Sequence, residues 1–165
     1  MRILSRLAVS ALIVVLALAS QGCGPTSIDI AASIKAGNLT TGWFDAGIVD
    51  GKNKLVPCAS FTITNASTSH LSGVQIFSVF RFAGDTEELG SSTVALRGDE
   101  ALAPSATSKP ITVRANWGFT GEQPRAQMLM HQSFRDARVE IFVKYRAGEF
   151  VKIAEATISR QLLTH

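Results

Sequence analysis

From Ile28 onward, apolar residues recur with a period of two in short runs, and no fifteen-residue stretch keeps the period of an amphipathic helix. Ile28, Ile30, Ala32 and Ile34 alternate with smaller or polar neighbours and predict a first strand. GKNK at Gly51 to Lys54 signals a turn, after which LVPCASFTITN extends to Asn65 with Ala59, Phe61 and Ile63 on one face. Pro57 has no N–H for a ladder, so this strand is expected to begin near it or lie at an edge. After the polar loop NASTSHLSG, the run VQIFSVFRF from Val74 to Phe82 is β-branched and aromatic on both faces, the pattern of a central strand between layers. AGDTEELG reads as a further turn, Val94 to Leu96 as a short strand, and ALAPSATSKP as a loop into Ile111 to Ala115. Val139, Ile141, Val143 and Tyr145 then alternate with charged residues, Ala147-Gly148 turns, and Phe150 to Leu162 returns, which predicts a hairpin with one solvated face.

About seven strands with turn signals roughly every ten residues are the pattern of an all-β fold, an immunoglobulin-like antiparallel β-sandwich. The pattern breaks between Trp117 and Phe134. There Pro124 stands where a helix starts, and Ala126, Met128, Leu129 and Met130 are good helix formers, so one short helix is expected over 124–131. Residues 28–165 read as a single domain, within which residues 35–54 are either fold or tether.

The start of the chain has a different pattern. Met1 to Arg6 carries two cations and no acid, and Leu7 to Ala19 is a thirteen-residue apolar run broken only by Ser10. This is the basic and apolar order of a secretory signal, too short for the roughly 18–20 residues of a membrane span. The segment ASQGC, ending at Cys23, resembles the lipobox of bacterial lipoproteins, with Ser20 where that motif usually has a large aliphatic residue. The resemblance implies that residues 1–22 are a lipoprotein signal peptide, that Cys23 carries the lipid, and that residues 23–27 form a short tether. Gly24 after the cysteine implies the outer membrane, periplasmic face. Two or three acyl chains, at about 0.8 kcal/mol per buried methylene, make a stable anchor. A tether of four residues, Gly24 to Ser27, would hold a fold starting at Ile28 within roughly 15–20 Å of the bilayer, and a partner would then be membrane-associated.

Further along, FTITNASTSHLSGVQIFSVFRFAGDTEELGSS followed by LAPSATS looks like the FxLYD-type immunoglobulin-like extracytoplasmic domains, in which a strand ending in Asn-x-Ser precedes a long strand and an acidic turn. The motif that names that family is absent, and Ser105 replaces its loop glycine. The whole mature chain is also similar to a family of predicted lipoproteins of Gram-negative bacteria, marked by a segment like WGFTGEQPRAQML, a resemblance that carries no activity.

Charge changes the picture once the leader is set aside. The whole chain has 16 cations and 13 acids, but two of the cations lie in residues 1–22, so the remainder is close to neutral at +1. No electrostatic case for nucleic acid survives. With Cys23 acylated, Cys58 has no partner in an oxidising compartment and reads as a buried small hydrophobe.

Chemistry that needs a constellation is not legible. His131, Ser133 and Asp136 are neighbours in sequence, whereas triads assemble from separate elements. His70, His131 and His165 lack metal-ligand spacing, and Asp85 with Glu87 and Glu88 reads as a solvated turn rather than a calcium loop. No catalytic residue, metal or cofactor is therefore expected. What stands out is Trp117, Phe119, Arg125, Met128, Met130, Arg135 and Arg138, a set of aromatic, methionine and arginine side chains of the kind that binding surfaces enrich. They are either a partner-binding patch or the plug and rim of the sandwich. The expected function is a noncatalytic, lipid-anchored periplasmic domain that binds a protein partner or supports an envelope complex; the alternative is a carrier or sensor of a small lipid or glycan.

Overall fold

The structure, a computed structural model, describes residues 28–163, so the expected signal peptide, Cys23 and the tether lie outside the described residues. Nine strands follow in order: β1 Ile34–Val49, β2 Lys52–Asn65, β3 Val74–Phe82, β4 Glu88–Leu96, β5 Ile111–Arg114, β6 Phe119–Gly121, β7 Ala137–Tyr145, β8 Val151–Thr157 and β9 Leu162–Leu163. Among the described residues, two short α-helices, α1 Ile30–Ser33 and α2 Arg125–Met130, and a 3-10 turn at Gly98–Glu100 complete the set. α2 lies within a residue of its expected bounds, with Pro124 at its N-cap.

One sheet has the order β5-β2-β1-β9 with β6 also paired to β2, and the other has the order β4-β3-β7-β8. Every pairing is antiparallel except β1 with β9. With β1, β2, β3, β4, β5, β7 and β8 standing as A, B, C, C′, E, F and G, this is the strand order of an immunoglobulin-like sandwich. Trp43, Leu55, Phe61 and Ile63 from the first sheet meet Ile76, Phe80, Val139 and Ile141 from the second in one buried core.

The first helix replaces the strand expected over Ile28–Ile34. Asp29 Oδ1 accepts from the Ala32 N–H at 3.3 Å, closing a capped turn, and the strand begins only at Ile34. Ile30 and Ile34 are both buried either way, because a spacing of four also puts them on one helical face; the alternation alone did not discriminate.

Residues 35–54 are fold. They build the β1–β2 hairpin, paired from Ile34 opposite Asn65 to Val49 opposite Lys52 with register shifts between Gly37 and Thr40 and between Asp45 and Ile48. Its turn is Asp50-Gly51, both at positive φ (50° and 75°), one residue earlier than GKNK suggested. That is the backbone of a type I′ turn, which suits the twist of a two-residue hairpin.

Pro57 sits in mid-strand, contrary to the expectation of a strand start or edge. Its carbonyl accepts from the Ala115 N–H at 3.0 Å, so its nitrogen faces the same side. On that side β5 ends opposite Cys58 and β6 stops opposite Leu55, so the missing donor falls in the gap. β3 is central in its sheet as expected, but among the described residues no second layer covers its outer face; Phe77 there packs against Phe142 and Phe150, with ring centroids 6.4 and 5.6 Å away.

β4 begins at Glu88, so the expected turn AGDTEELG gives its last three residues to the strand, with Leu89 and Gly90 buried. The β8 return stops at Thr157. Ile158 is buried and the chain then crosses to the other sheet, where Thr41 Oγ1 donates to the Thr157 carbonyl (2.9 Å) and accepts from the Ser159 N–H (3.1 Å). The Trp43 N–H donates to the Gln161 carbonyl at 2.8 Å and seats β9 beside β1.

The two ends of the sandwich differ. The chain enters at the end holding α1, the start of β1 and the β7–β8 turn. The opposite end holds the β1–β2 hairpin tip, the β5–β6 loop, α2 and the starts of β4 and β7.

Candidate functional site

The seven expected residues all fall at that opposite end, and the structure divides them by role. Phe119 and Met128 are core. Phe119 stacks on Phe134 at 4.3 Å and meets Trp43 edge-on at 5.7 Å, while Met128 is buried with Leu129 on the inward side of α2. The amphipathic turn of α2 explains this: after Pro124, Met128 and Leu129 turn inward together and close the end of the sandwich.

The three arginines are tied to carboxylates of the same domain. Arg125 Nε pairs with Asp45 Oδ2 and pins α2 to β1. The hydrogen bond from Arg125, helped by the Gly47 N–H, holds the Asp45 carboxyl below the usual range. Arg135 Nη2 reaches Asp85 Oδ2 at 3.1 Å, and its guanidinium lies 3.9 Å over the Phe82 ring. Asp85 is also lowered, first by the Glu87 N–H and then by Arg135. Arg138 Nη1 bonds Glu155 Oε1 at 3.1 Å within a surface network that includes Arg81, Glu140 and Lys152. Hydrogen bonds from Lys152 and then Arg138 lower Glu155, and Glu155 in turn raises Lys152.

Trp117 and Met130 remain, at 70% and 75% exposed. Trp117 is displayed by a tightly held loop. A Cβ on Gly118 would lie 1.9 Å from the Leu55 carbonyl oxygen, and one on Gly90 would lie 2.7 Å from the Asn116 nitrogen, so glycines at both positions let the loop lie flat on β2 and β4. Lys54 Nζ donates to the Asn116 carbonyl at 3.3 Å from the other side. Below the indole is a groove of about 270 Å³ floored by Phe82 and Leu89 and flanked by Glu87 and Glu88.

Sequence reasoning missed two features of this end. Ile48 and Val49, 70% and 40% exposed, stand at the hairpin tip; an apolar pair directly before Asp50-Gly51 was the available signal. Glu87 and Glu88 were legible only as a turn, because their place beside Trp117 depends on β4 meeting the β5–β6 loop.

The other candidates resolve locally. His131 Nδ1 accepts from the Ser133 backbone N–H at 3.2 Å and Asp136 pairs with Arg160 at 2.7 Å, so the three residues form no relay. Among the described residues, no three His, Cys, Asp or Glu side chains converge as metal ligands, and His70 and His131 lie far apart in the chain. Cys58 is free and fully buried, and burial pushes its thiol up against the opposing pull of Arg114.

No protein-family model matches the chain, and no curated protein matches it. Among solved structures it is similar to one described as "X-ray structure of Northeast Structural Genomics Consortium target SoR45", at 13% identity and a TM-score of 0.45 over 79% of this chain and 89% of that one.

Proposed function

We propose that this is a lipoprotein, anchored through Cys23 at the periplasmic face of the outer membrane, whose noncatalytic sandwich presents its far end to a protein partner of the envelope. The observation that carries the reading is the placement of exposed apolar side chains. Ile48, Val49, Trp117 and Met130 all stand at the end opposite the entry of the chain, whereas Phe150 lies beside the β7–β8 turn. Exposed apolar groups gathered at one end of a small domain are what an interface needs and what a free surface avoids.

The geometry revises how far the domain reaches. At about 3.3 Å per residue, β1 carries the chain roughly 35 Å from Ile34 to Asp45. Added to a four-residue tether, this puts the apolar end up to about 50 Å from the anchor. A partner engaged there need not lie in the same membrane.

The carrier alternative draws less support at the Met- and Arg-bearing segment, where the cavity beside Met128 and Phe134 holds about 210 Å³, below the roughly 300–1,000 Å³ of ordinary ligand pockets; grooves of about 400 Å³ beside Leu96 and Leu102 and about 510 Å³ beside Ala83 and Arg138 lie away from that cavity. Two measurements test the proposal. Cys23→Ala is expected to move the protein from the membrane to the soluble fraction, and continued membrane residence would remove the lipid anchor from the reading. Photo-crosslinkers in place of Ile48, Trp117 and Met130 are expected to capture one common envelope protein that a crosslinker at Phe150 does not; equal capture from Phe150, or none from the far end, would overturn the reading.

A further inference from the structure

We infer that the groove under Trp117 takes a basic side chain, arginine or lysine, from the partner polypeptide; this deepens the protein-binding reading above and rests on it. Three observations converge on one occupant. The indole is 70% exposed on a loop whose backbone lies close against β2 and β4. The floor is apolar, with Leu89 only 8% exposed and Phe82 half-buried beside it. Among the described residues Glu87 and Glu88 form no ion pair, a state they share with Asp29, Asp50, Asp99, Glu100, Glu122 and Glu149; what sets them apart is that both line the same groove as an exposed indole.

The neighbouring arginines are already committed. Arg81 bonds Glu140 Oε2 (3.2 Å) and the Thr86 carbonyl (2.6 Å), and Arg135 is held by Asp85 on the Phe82 ring. Arg138 reaches Glu155 and the Asp85 carbonyl. Lys54, which donates to the Asn116 carbonyl beside Trp117, pairs with no acid, so two carboxylates stand against one lysine around the groove and the balance is negative.

An arginine or lysine satisfies every wall at once. Its methylene stem runs along Leu89 and Phe82 beside the Arg135 guanidinium already lying over the Phe82 ring, its cationic head meets the indole face, and the carboxylates of Glu87 and Glu88 receive its N–H donors. A groove of about 270 Å³ has room for one such side chain and its flanking backbone.

The chain has two tryptophans, and Trp43 is fully buried, so the indole N–H resonance of Trp117 reports the groove directly. Detergent-solubilised full-length protein would be titrated with an acetylated tri-arginine amide, with tri-glutamate and with tetramethylammonium. The arginine peptide is expected to shift Trp117 saturably and the glutamate peptide to leave it in place. Replacing both acids, Glu87→Gln with Glu88→Gln, is expected to weaken the arginine peptide about tenfold. No shift, or a shift unchanged in the double variant, overturns the inference; equal binding of tetramethylammonium would assign the groove to small organic cations and overturn the peptide assignment. The same double variant tested in the crosslinking assay separates the two claims. Undiminished capture from Ile48 and Met130 sinks the groove assignment while the partner-binding reading stands, whereas absence of capture in the unaltered protein sinks that reading.

Discussion

At residue scale, most polar groups in the core are satisfied, and Asn65 shows how. Its side-chain amide donates to the carbonyls of Ser69, Leu102 and Ala103 while its Oδ1 accepts from the Ser67 N–H and hydroxyl, so one buried asparagine stitches the β2–β3 loop to the β4–β5 loop. The sequence pattern ends a strand at Asn65 and opens a polar loop after it; the links of its side chain to Leu102 and Ala103, some 37 residues on, were not legible. Ser78 is the contrary case. It points into the core from the centre of β3, and its hydroxyl has no hydrogen-bond partner. A buried hydroxyl left unpaired costs about 1–3 kcal/mol. Ser78→Ala is therefore expected to raise stability by about 1 kcal/mol, seen as a thermal midpoint about 4 °C higher. A midpoint lowered by the substitution would mean that the hydroxyl is bonded.

At element scale, the segment between α2 and β7 has little regular backbone pairing and depends on Arg160. That side chain donates to Asp136 Oδ1 (2.7 Å) and to the carbonyls of Leu129 (3.3 Å) and Phe134 (3.1 Å), and its guanidinium lies 5.4 Å from the Phe134 ring centre. Arg160→Ala is expected to cost about 1–3 kcal/mol, because two main-chain carbonyls lose a charged donor. Faster hydrogen exchange confined to residues 129–136 would confirm that the loss is local; uniform change across both sheets would contradict it. The sequence placed α2 well, because Pro124 and the residues after it carry local signals. It could not place Arg160 as the clamp, since the crossover that brings it there follows from β9 pairing with β1.

For the whole molecule, charge pairs set a direction for pH dependence. Asp45, Asp85 and Glu155 are held below their ordinary values of 3.8, 3.8 and 4.5. Groups depressed by folding stabilise the folded state above their unfolded values, and that contribution is lost as pH falls through the folded ones. Lys152 is raised above 10.5, so its contribution is present below that value and lost above it. The thermal midpoint is thus expected to be flat from about pH 5 to 9, to fall below about pH 4, and to fall less with added salt, because these pairs are exposed to solvent. A midpoint that declines between pH 7 and 5 would point to a different titrating group.

Sequence alone determined what depends on neighbours in the chain. Alternation of apolar residues set a two-sheet β fold and the bounds of β3, and Pro124 set the start of α2. Tertiary structure alone decided what depends on which strands meet. It turned Asp29 into a cap, carried Pro57 through a central strand across the gap between β5 and β6, and ended the last hairpin at Thr157 so that the chain could cross to β1. It also sorted the seven candidate residues, burying Met128, packing Phe119 half-buried against the core, pairing Arg125, Arg135 and Arg138 within the domain, and leaving Trp117 and Met130 exposed at the end remote from the chain's entry. The physical reason is common to all of these. A side chain's type limits what it can bind, but burial and ion pairing are relations between residues tens of positions apart, and only the packed sheets bring them together.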